Sequence, residues 1–256
     1  MDPRSIADRL IAAERERTAI TAFTSTFPFL GVKRAYQAQE LVVRHRLANG
    51  ESLIGAKLGL TSRIMQQVVN VHEPVYGWLT SGMAAPHGEP LPLDELIHPR
   101  AEPEIAFLLR DSPARPATIP GVLAATEVVF GAIEVLDSRY EYYQYRLPDV
   151  IADNVGAARF VLGSQARTPG ELEDLRLVGC VFRSHGEVVG TGAGGAALGH
   201  PAAAVAWLVN ALAAQGRQLP AGSLVLSGGL TAPVPLSRGA VLSADFDGLG
   251  TVGVYG

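Results

Sequence analysis

Three glutamates and one lysine stand where this sequence turns apolar. Glu102 and Glu104 lie two residues apart in HPRAEPEIAFLL, at the start of a strand-like run. Alternate residues of a strand share a face, so the two carboxylates project together. Like charges that close repel unless neutralised, and a hard divalent cation neutralises them with oxygen ligands. For E-x-E alone the competing reading is a solvated strand edge. Glu134, in FGAIEVLDSRY, adds a third carboxylate behind a run that reads as a buried strand. A charge there needs a metal or a partner, and the local partner is Arg139. Three carboxylates on buried strands without a basic cluster favour Mg²⁺ or Mn²⁺ over zinc.

Lys57 lies in LIGAKLGLTS between Gly55 and Gly59, where glycines permit close backbone approach by a ligand. It either binds an anionic substrate, with a lowered pKa as one option, or snorkels to the surface. A second glycine-rich stretch, GTGAGGAALGHP, leads into a helix whose N-terminus favours a carboxylate. It lacks the lysine of a phosphate loop and the dinucleotide context. His200 at its end caps the helix, binds a carboxylate or packs. There is no G-x-S-x-G elbow for a serine hydrolase.

The elements that must position these groups are legible in outline. Apolar residues at helical spacing mark residues 3–24 and about 32–48, so residues 1–50 form a helical N-terminal region and residues 51–256 a β-rich catalytic unit. After Asn49-Gly50 come short runs rich in β-branched and aromatic residues: SLIGAKLGL, EIAFLL, EVVFGAIEVL, RFVLG, RLVGCVFRSHGEVVG, SLVLSGGL, AVLSADF and GTVGVY. His185-Gly186 signals a hairpin. One clear helix, starting near Pro201 and ending before Gly216, interrupts the strands through the stripe Val205, Leu208, Val209, Leu212.

Composition narrows the class. At 256 residues, 48% hydrophobic and 18% charged, the chain buries a sizeable core. A formal charge of −4, with Lys and Arg scattered, provides no basic stripe for nucleic acid. The charged N-terminus is unlike a signal peptide, and no run of about 18 apolar residues is expected to span a bilayer, so the expected location is cytoplasmic. Cys180, the one cysteine, sits in LVGCVF and reads as a buried inert thiol. Any metal is therefore held by oxygen or imidazole.

Taken in order, GAKLGLTS, AEPEIAFLL, AIEVLDSRY, DVIADN, TGAGGAALGHP and LSGGLTAPVPLSRGAVLSADFDGLGTVGV resemble the 2-oxopent-4-enoate hydratase and 4-oxalocrotonate decarboxylase family, a branch of the fumarylacetoacetate hydrolase superfamily. The likeness runs from about residue 30 to the C-terminus. It implies an α+β fold with a rolled, mostly antiparallel sheet, a helical N-terminal region and a homo-oligomer. It implies that Glu102, Glu104 and Glu134 bind Mg²⁺ or Mn²⁺, which chelates the C1 carboxylate and C2 carbonyl of a 2-oxo acid and stabilises the enolate. It places Lys57, Arg139, Asp153 and His200 among the catalytic residues and Leu58, Thr61, Ser62, Asn154, Gly192 and Gly194 around the substrate. DSRY with Tyr140, His200, and Gly228-Gly229 lean toward decarboxylation of a 2-oxo-3-enedioate. Hydration of a 2-hydroxypenta-2,4-dienoate is the alternative, and a scaffolding subunit associated with a related hydratase or decarboxylase the non-enzymatic one. One departure stands out: Asp153-Asn154 is followed by Val155-Gly156-Ala157 where the family has A-S-S, which implies a roomier, less polar site and a different 2-oxo acid, such as one from secondary metabolism.

Overall fold

The computed structural model describes residues 1–68 and 71–256. The chain opens with helices α1 (Pro3–Glu16), α2 (Phe23–Thr26) and α3 (Val32–Ala48), then β1 (Leu53–Gly59), α4 (Arg63–Val68) and β2 (Val75–Thr80). There follow β3 (Arg100–Leu109), α5 (Ile119–Ala125), β4 (Thr126–Leu136), α6 (Leu147–Ala152) and β5 (Ala157–Arg167). The C-terminal part comprises β6 (Gly179–Ser184), β7 (Glu187–Ala193), α7 (Pro201–Ala213), β8 (Leu224–Leu226), β9 (Val234–Pro235), β10 (Val241–Phe246) and β11 (Gly250–Tyr255).

A seven-stranded sheet runs β2-β1-β8-β3-β4-β5, with β9 added on β3; among the described residues its one parallel pairing is β1 with β8. A four-stranded antiparallel sheet, β11-β10-β6-β7, packs on it. They meet where Phe246 lies over Gly131, at which a Cβ would come within 2.5 Å of the ring. The expected hairpin joins β6 to β7, with His185 and Gly186 both at positive φ (50° and 85°), as a tight primed turn requires.

Two expectations about the helices change. The first helix stops at Glu16, not near residue 24, because Arg17 adopts the left-handed conformation and closes it. The chain then runs extended, and Ile20 pairs with Tyr140. Residues 194–213 do reach the length and hydropathy of a membrane span (20 residues, mean hydropathy 1.4), contrary to the expectation of none. In the fold this stretch is a short turn followed by α7, whose Val205, Leu208, Val209 and Leu212 sit in the main core beside Phe107 and Val129. Strand β2 escapes the alternation test because all six of its residues are buried.

The N-terminal helices share a core with the site's supporting segments. Ile6, Leu10, Phe23, Ala35 and Ala38 pack with Tyr140, Ile151 and Val155. Asp149, buried in the first turn of α6, accepts from the Arg146 N–H (3.0 Å) and, across the interface, from the Thr24 N–H (3.0 Å). This joint holds α6 and the following turn in place.

Candidate active site

Strands β3 and β4 bring the glutamates together. Glu102 and Glu104 share a face of β3 by alternation, and Glu134 stands directly opposite Glu102 on β4. Like charges in such a cross-strand pair are destabilising when nothing lies between them. One oxygen from each of the three carboxylates lies within 4.8 Å of the others. Glu104 and Glu134 are wholly buried, and among the described residues Glu104 Oε1 and Glu134 Oε1 have no hydrogen-bond partner.

Lys57 reaches the same place from β1, which β8 and β3 separate from β4. Its Nζ is 2.8 Å from Glu134 Oε2 and donates to the Val155 carbonyl at 3.2 Å. At 1% exposure it is not a snorkelling surface lysine. Nor is its pKa lowered: burial opposes the charge, but Glu134, Glu104 and Glu102 outweigh burial and raise it. Lys57 is a held cation. Burial, then repulsion from Glu134, pushes Glu102 up to about 7, and the same two causes together with Glu102 raise Glu104 well above the carboxylate range. One lysine does not balance three carboxylates. The surplus negative charge and unbonded oxygens fit a hard divalent cation, whose oxygen ligands at about 2.0–2.6 Å span such a cluster.

Glycines let the backbone close on this cluster. The Gly228 N–H donates to Glu104 Oε2 at 2.7 Å. A Cβ at Gly229 would come within 2.4 Å of Glu102 Oε2, and one at Gly228, whose φ is +107°, within 2.0 Å of Thr61 Oγ1. Val155 is the strained member: a β-branched residue at φ 55°, a conformation costing about 1–3 kcal/mol. Its carbonyl faces Lys57, and its side chain packs at Gly59, where a Cβ would stand 2.6 Å from Cγ1.

The cluster opens into a cavity of about 930 Å³ lined by Lys57, Glu102, Thr61, Ser62 and Thr231 together with a larger apolar set that includes Leu60, Val75 and Val150. Thus Lys57, Glu102, Thr61 and Ser62 are placed together as the resemblance implies, with Glu104 and Glu134 behind Glu102. Sequence reasoning overlooked Tyr145 and Thr231 on the lining, and named Val155 only as part of the departure from A-S-S. It had singled out Gly228-Gly229 without making it a site element. A glycine pair after a buried strand, where something approaches the backbone closely, was the available signal.

Other expected site residues are turned elsewhere. Arg139 and Asp153 are spent on each other in a buried ion pair, with Arg139 Nη1 also donating to the Asp137 carbonyl at 2.8 Å and its backbone N–H to Asp153 Oδ2 at 3.0 Å. Burial lifts the Asp153 carboxyl to about 6 against the pull of Arg139. Neither lines the cavity; the pair lies beside it, within the scaffold of the turn carrying Val155. Asn154 likewise holds the fold, its amide accepting from the Trp78 N–H (2.7 Å) and donating to the Trp78 carbonyl (2.9 Å) along the edge of β2. Leu58 points into the main core, opposite to Lys57. Gly192 and Gly194 pack against the Leu230 and Leu175 carbonyls and do not line the cavity. Tyr140 donates to the Asp149 carbonyl inside the core. Gly156 and Ala157 are off the lining too, whereas Val155 is on it.

His200 caps α7, its Nδ1 accepting from the Ala202 N–H at 3.0 Å, and it does not line the cavity. Burial lowers its pKa. The cap needs an unprotonated Nδ1, so its contribution is complete above the ordinary imidazole range and is lost as pH falls from there through the lowered value. His200→Ala is expected to cost about 1 kcal/mol in urea unfolding at pH 8, and His200→Asn to retain the cap and the turnover. Loss of turnover in His200→Asn would return His200 to the substrate.

A buried carboxylate cluster on a mostly antiparallel sheet, with a lysine locked among its members, defines a class of metal-binding enzyme scaffold, and the comparisons specify it. The model of the fumarylacetoacetate (FAA) hydrolase C-terminal family matches residues 49–254, and the chain belongs to this family. It is 39% identical to a 4-oxalocrotonate decarboxylase of Pseudomonas sp. (strain CF600) over 97% of this chain and 94% of that one. It is equally 39% identical to a 2-keto-4-pentenoate hydratase of Burkholderia vietnamiensis, over 97% and 95%. The solved structure of 4-oxalocrotonate decarboxylase from Pseudomonas putida G7, complexed with magnesium and adipate, superposes with a TM-score of 0.95 at 35% identity, covering 99% of this chain and 96% of that one. The α+β fold and the hydratase/decarboxylase branch expected from the motifs are borne out, and the protein is an enzyme of the lyase type.

Proposed function

We propose that this enzyme removes CO₂ from a 2-oxo-3-enedioate, using Mg²⁺ or Mn²⁺ held by Glu102, Glu104 and Glu134. The observation that carries the reading is the cluster itself, three carboxylates, two of them buried with unbonded oxygens, opening into a largely apolar cavity. The magnesium in the Pseudomonas putida G7 decarboxylase supports the choice of ion. When bound, the ion supplies Lewis acidity toward the 2-oxo acid head.

Lys57, kept protonated by its glutamates, stabilises the negative charge that collects on the C2 oxygen. The bond between C5 and the departing carboxylate breaks, its electron pair moves through the C3–C4 double bond toward C2, and CO₂ leaves. The resulting dienolate takes up one proton to give a 2-hydroxydienoate. Apolar lining favours the step that turns a carboxylate into neutral CO₂. Thr61, Ser62 and Thr231 orient the head group, while Arg139 and Asp153 hold the turn that presents the Val155 carbonyl to Lys57.

Hydration of a 2-hydroxydienoate is the second reading, favoured by the relatives of equal identity that are hydratases. Incubation with 2-oxohex-3-enedioate and Mg²⁺ is expected to release CO₂ and give a product lighter by its mass, with turnover lost in EDTA. A 4-hydroxy-2-oxo acid formed from 2-hydroxypenta-2,4-dienoate without CO₂ release would establish the hydratase instead. The same reading includes a cytoplasmic homo-oligomer, able to associate with a related hydratase or decarboxylase.

A further inference from the structure

The cavity exceeds what a six-carbon dioate needs. At about 930 Å³ it stands near the top of the range of roughly 300–1,000 Å³ that encloses drug-sized ligands. The head-group functions are concentrated in few side chains: Lys57, Glu102, Thr61, Ser62 and Thr231. The larger part of the lining is apolar, including Leu60, Val75, Leu147, Val150, Val155 and Leu230. Val75, Val155 and Leu230 are themselves seated in the packed cores, so this wall is preformed. Among the described residues the one further cation on the lining, Arg146, is exposed, so they provide no buried cation for a charged tail. Apolar wall of this extent, left facing water, forgoes a favourable transfer that a ligand's hydrocarbon would realise.

We infer that the substrate carries an apolar substituent of several carbons, an alkyl chain or an aromatic ring, beyond its 2-oxo acid head and seated against Leu60, Val75, Leu147, Val150 and Val155. The inference rests on the reading of the glutamate cluster as the head-group site. Val155 links the two ends, since its carbonyl meets Lys57 while its side chain belongs to the apolar wall.

Saturated 2-oxo acids, which lack the double bond needed to release CO₂, separate binding from turnover. Titration calorimetry of the full chain with Mg²⁺ would compare 2-oxobutanoate, 2-oxohexanoate, 2-oxooctanoate and 4-phenyl-2-oxobutanoate. Affinity is expected to rise about threefold to fourfold per buried methylene, roughly a hundredfold from 2-oxobutanoate to 2-oxooctanoate. Val150→Asp is expected to remove at least tenfold of that gain, with Leu147→Gln as the second variant should the first not fold. Affinity that is flat or falls with length, or a gain untouched in both variants, overturns the inference while Mg²⁺-dependent binding of 2-oxobutanoate preserves the head-group site. If no acid binds in a Mg²⁺-dependent way, the head-group reading fails and the inference with it.

Discussion

Glu104→Gln is expected to lower metal-dependent turnover on the order of a thousandfold while leaving the protein folded. Glu104 is fully buried, and its Oε2 accepts from the Gly228 N–H, which a glutamine carbonyl also permits. The substitution therefore keeps shape and hydrogen bond but removes a charge and a strong donor oxygen. Loss of several kcal/mol of charge stabilisation at the reacting head corresponds to about that fold-change. Because burial and the neighbouring glutamates already disfavour its charge, the variant in EDTA is expected to melt no lower than the parent. The checks are kcat against Mg²⁺ and Mn²⁺ concentration and thermal unfolding with and without EDTA. Parental turnover in the variant would remove Glu104 from the metal site.

Lys57→Met is expected to produce the opposite pattern, with a large loss of stability that metal restores. Among the described residues the lysine is the one cation in contact with the cluster, 2.8 Å from Glu134 Oε2, and removing one partner of such a buried pair costs about 3–5 kcal/mol. In a chain of this size that is a fall of roughly 10 °C in Tm. Saturating Mg²⁺ replaces the missing positive charge and is expected to recover most of the fall, whereas the parent gains less from the ion. Turnover stays low even with the ion bound, because the charge on the C2 oxygen has lost its protonated neighbour. A variant as stable as the parent in EDTA would show that the lysine does not offset the glutamates. Full turnover would show that it takes no part in the reaction.

The two variants divide a site that is only partly legible from residue order. E-x-E at the start of an apolar run states its geometry locally, since strand alternation puts Glu102 and Glu104 on one face whatever the rest of the chain does. The helices over residues 32–48 and from Pro201, and the His185-Gly186 turn, are local in the same way: periodicity and backbone freedom decide them. The early end of α1 is not. Arg17 takes a left-handed conformation and Ile20 then joins Tyr140, far along the chain. Strand β2 carries no alternation because both of its faces are covered, which is a property of its neighbours.

Chemistry-bearing residues divide along the same line. Arg139, Asp153, Asn154 and His200 are of types that serve catalysis and are quoted by the family motifs, yet each makes side-chain bonds within the scaffold. Which atoms a side chain meets depends on the register of distant strands and the packing of helices. The apolar wall of the cavity is assembled from β2, α6, the Val155 turn and the segment after β8, and no local pattern announces it. By itself the sequence determined the family, the strand-borne carboxylates and the hard-metal chemistry they invite, because residue type and short-range alternation suffice for these. Only the tertiary structure decided that Glu134 faces Glu102, that Lys57 is locked among the three carboxylates, and that the space beside them is apolar, because each depends on contacts between segments remote in sequence.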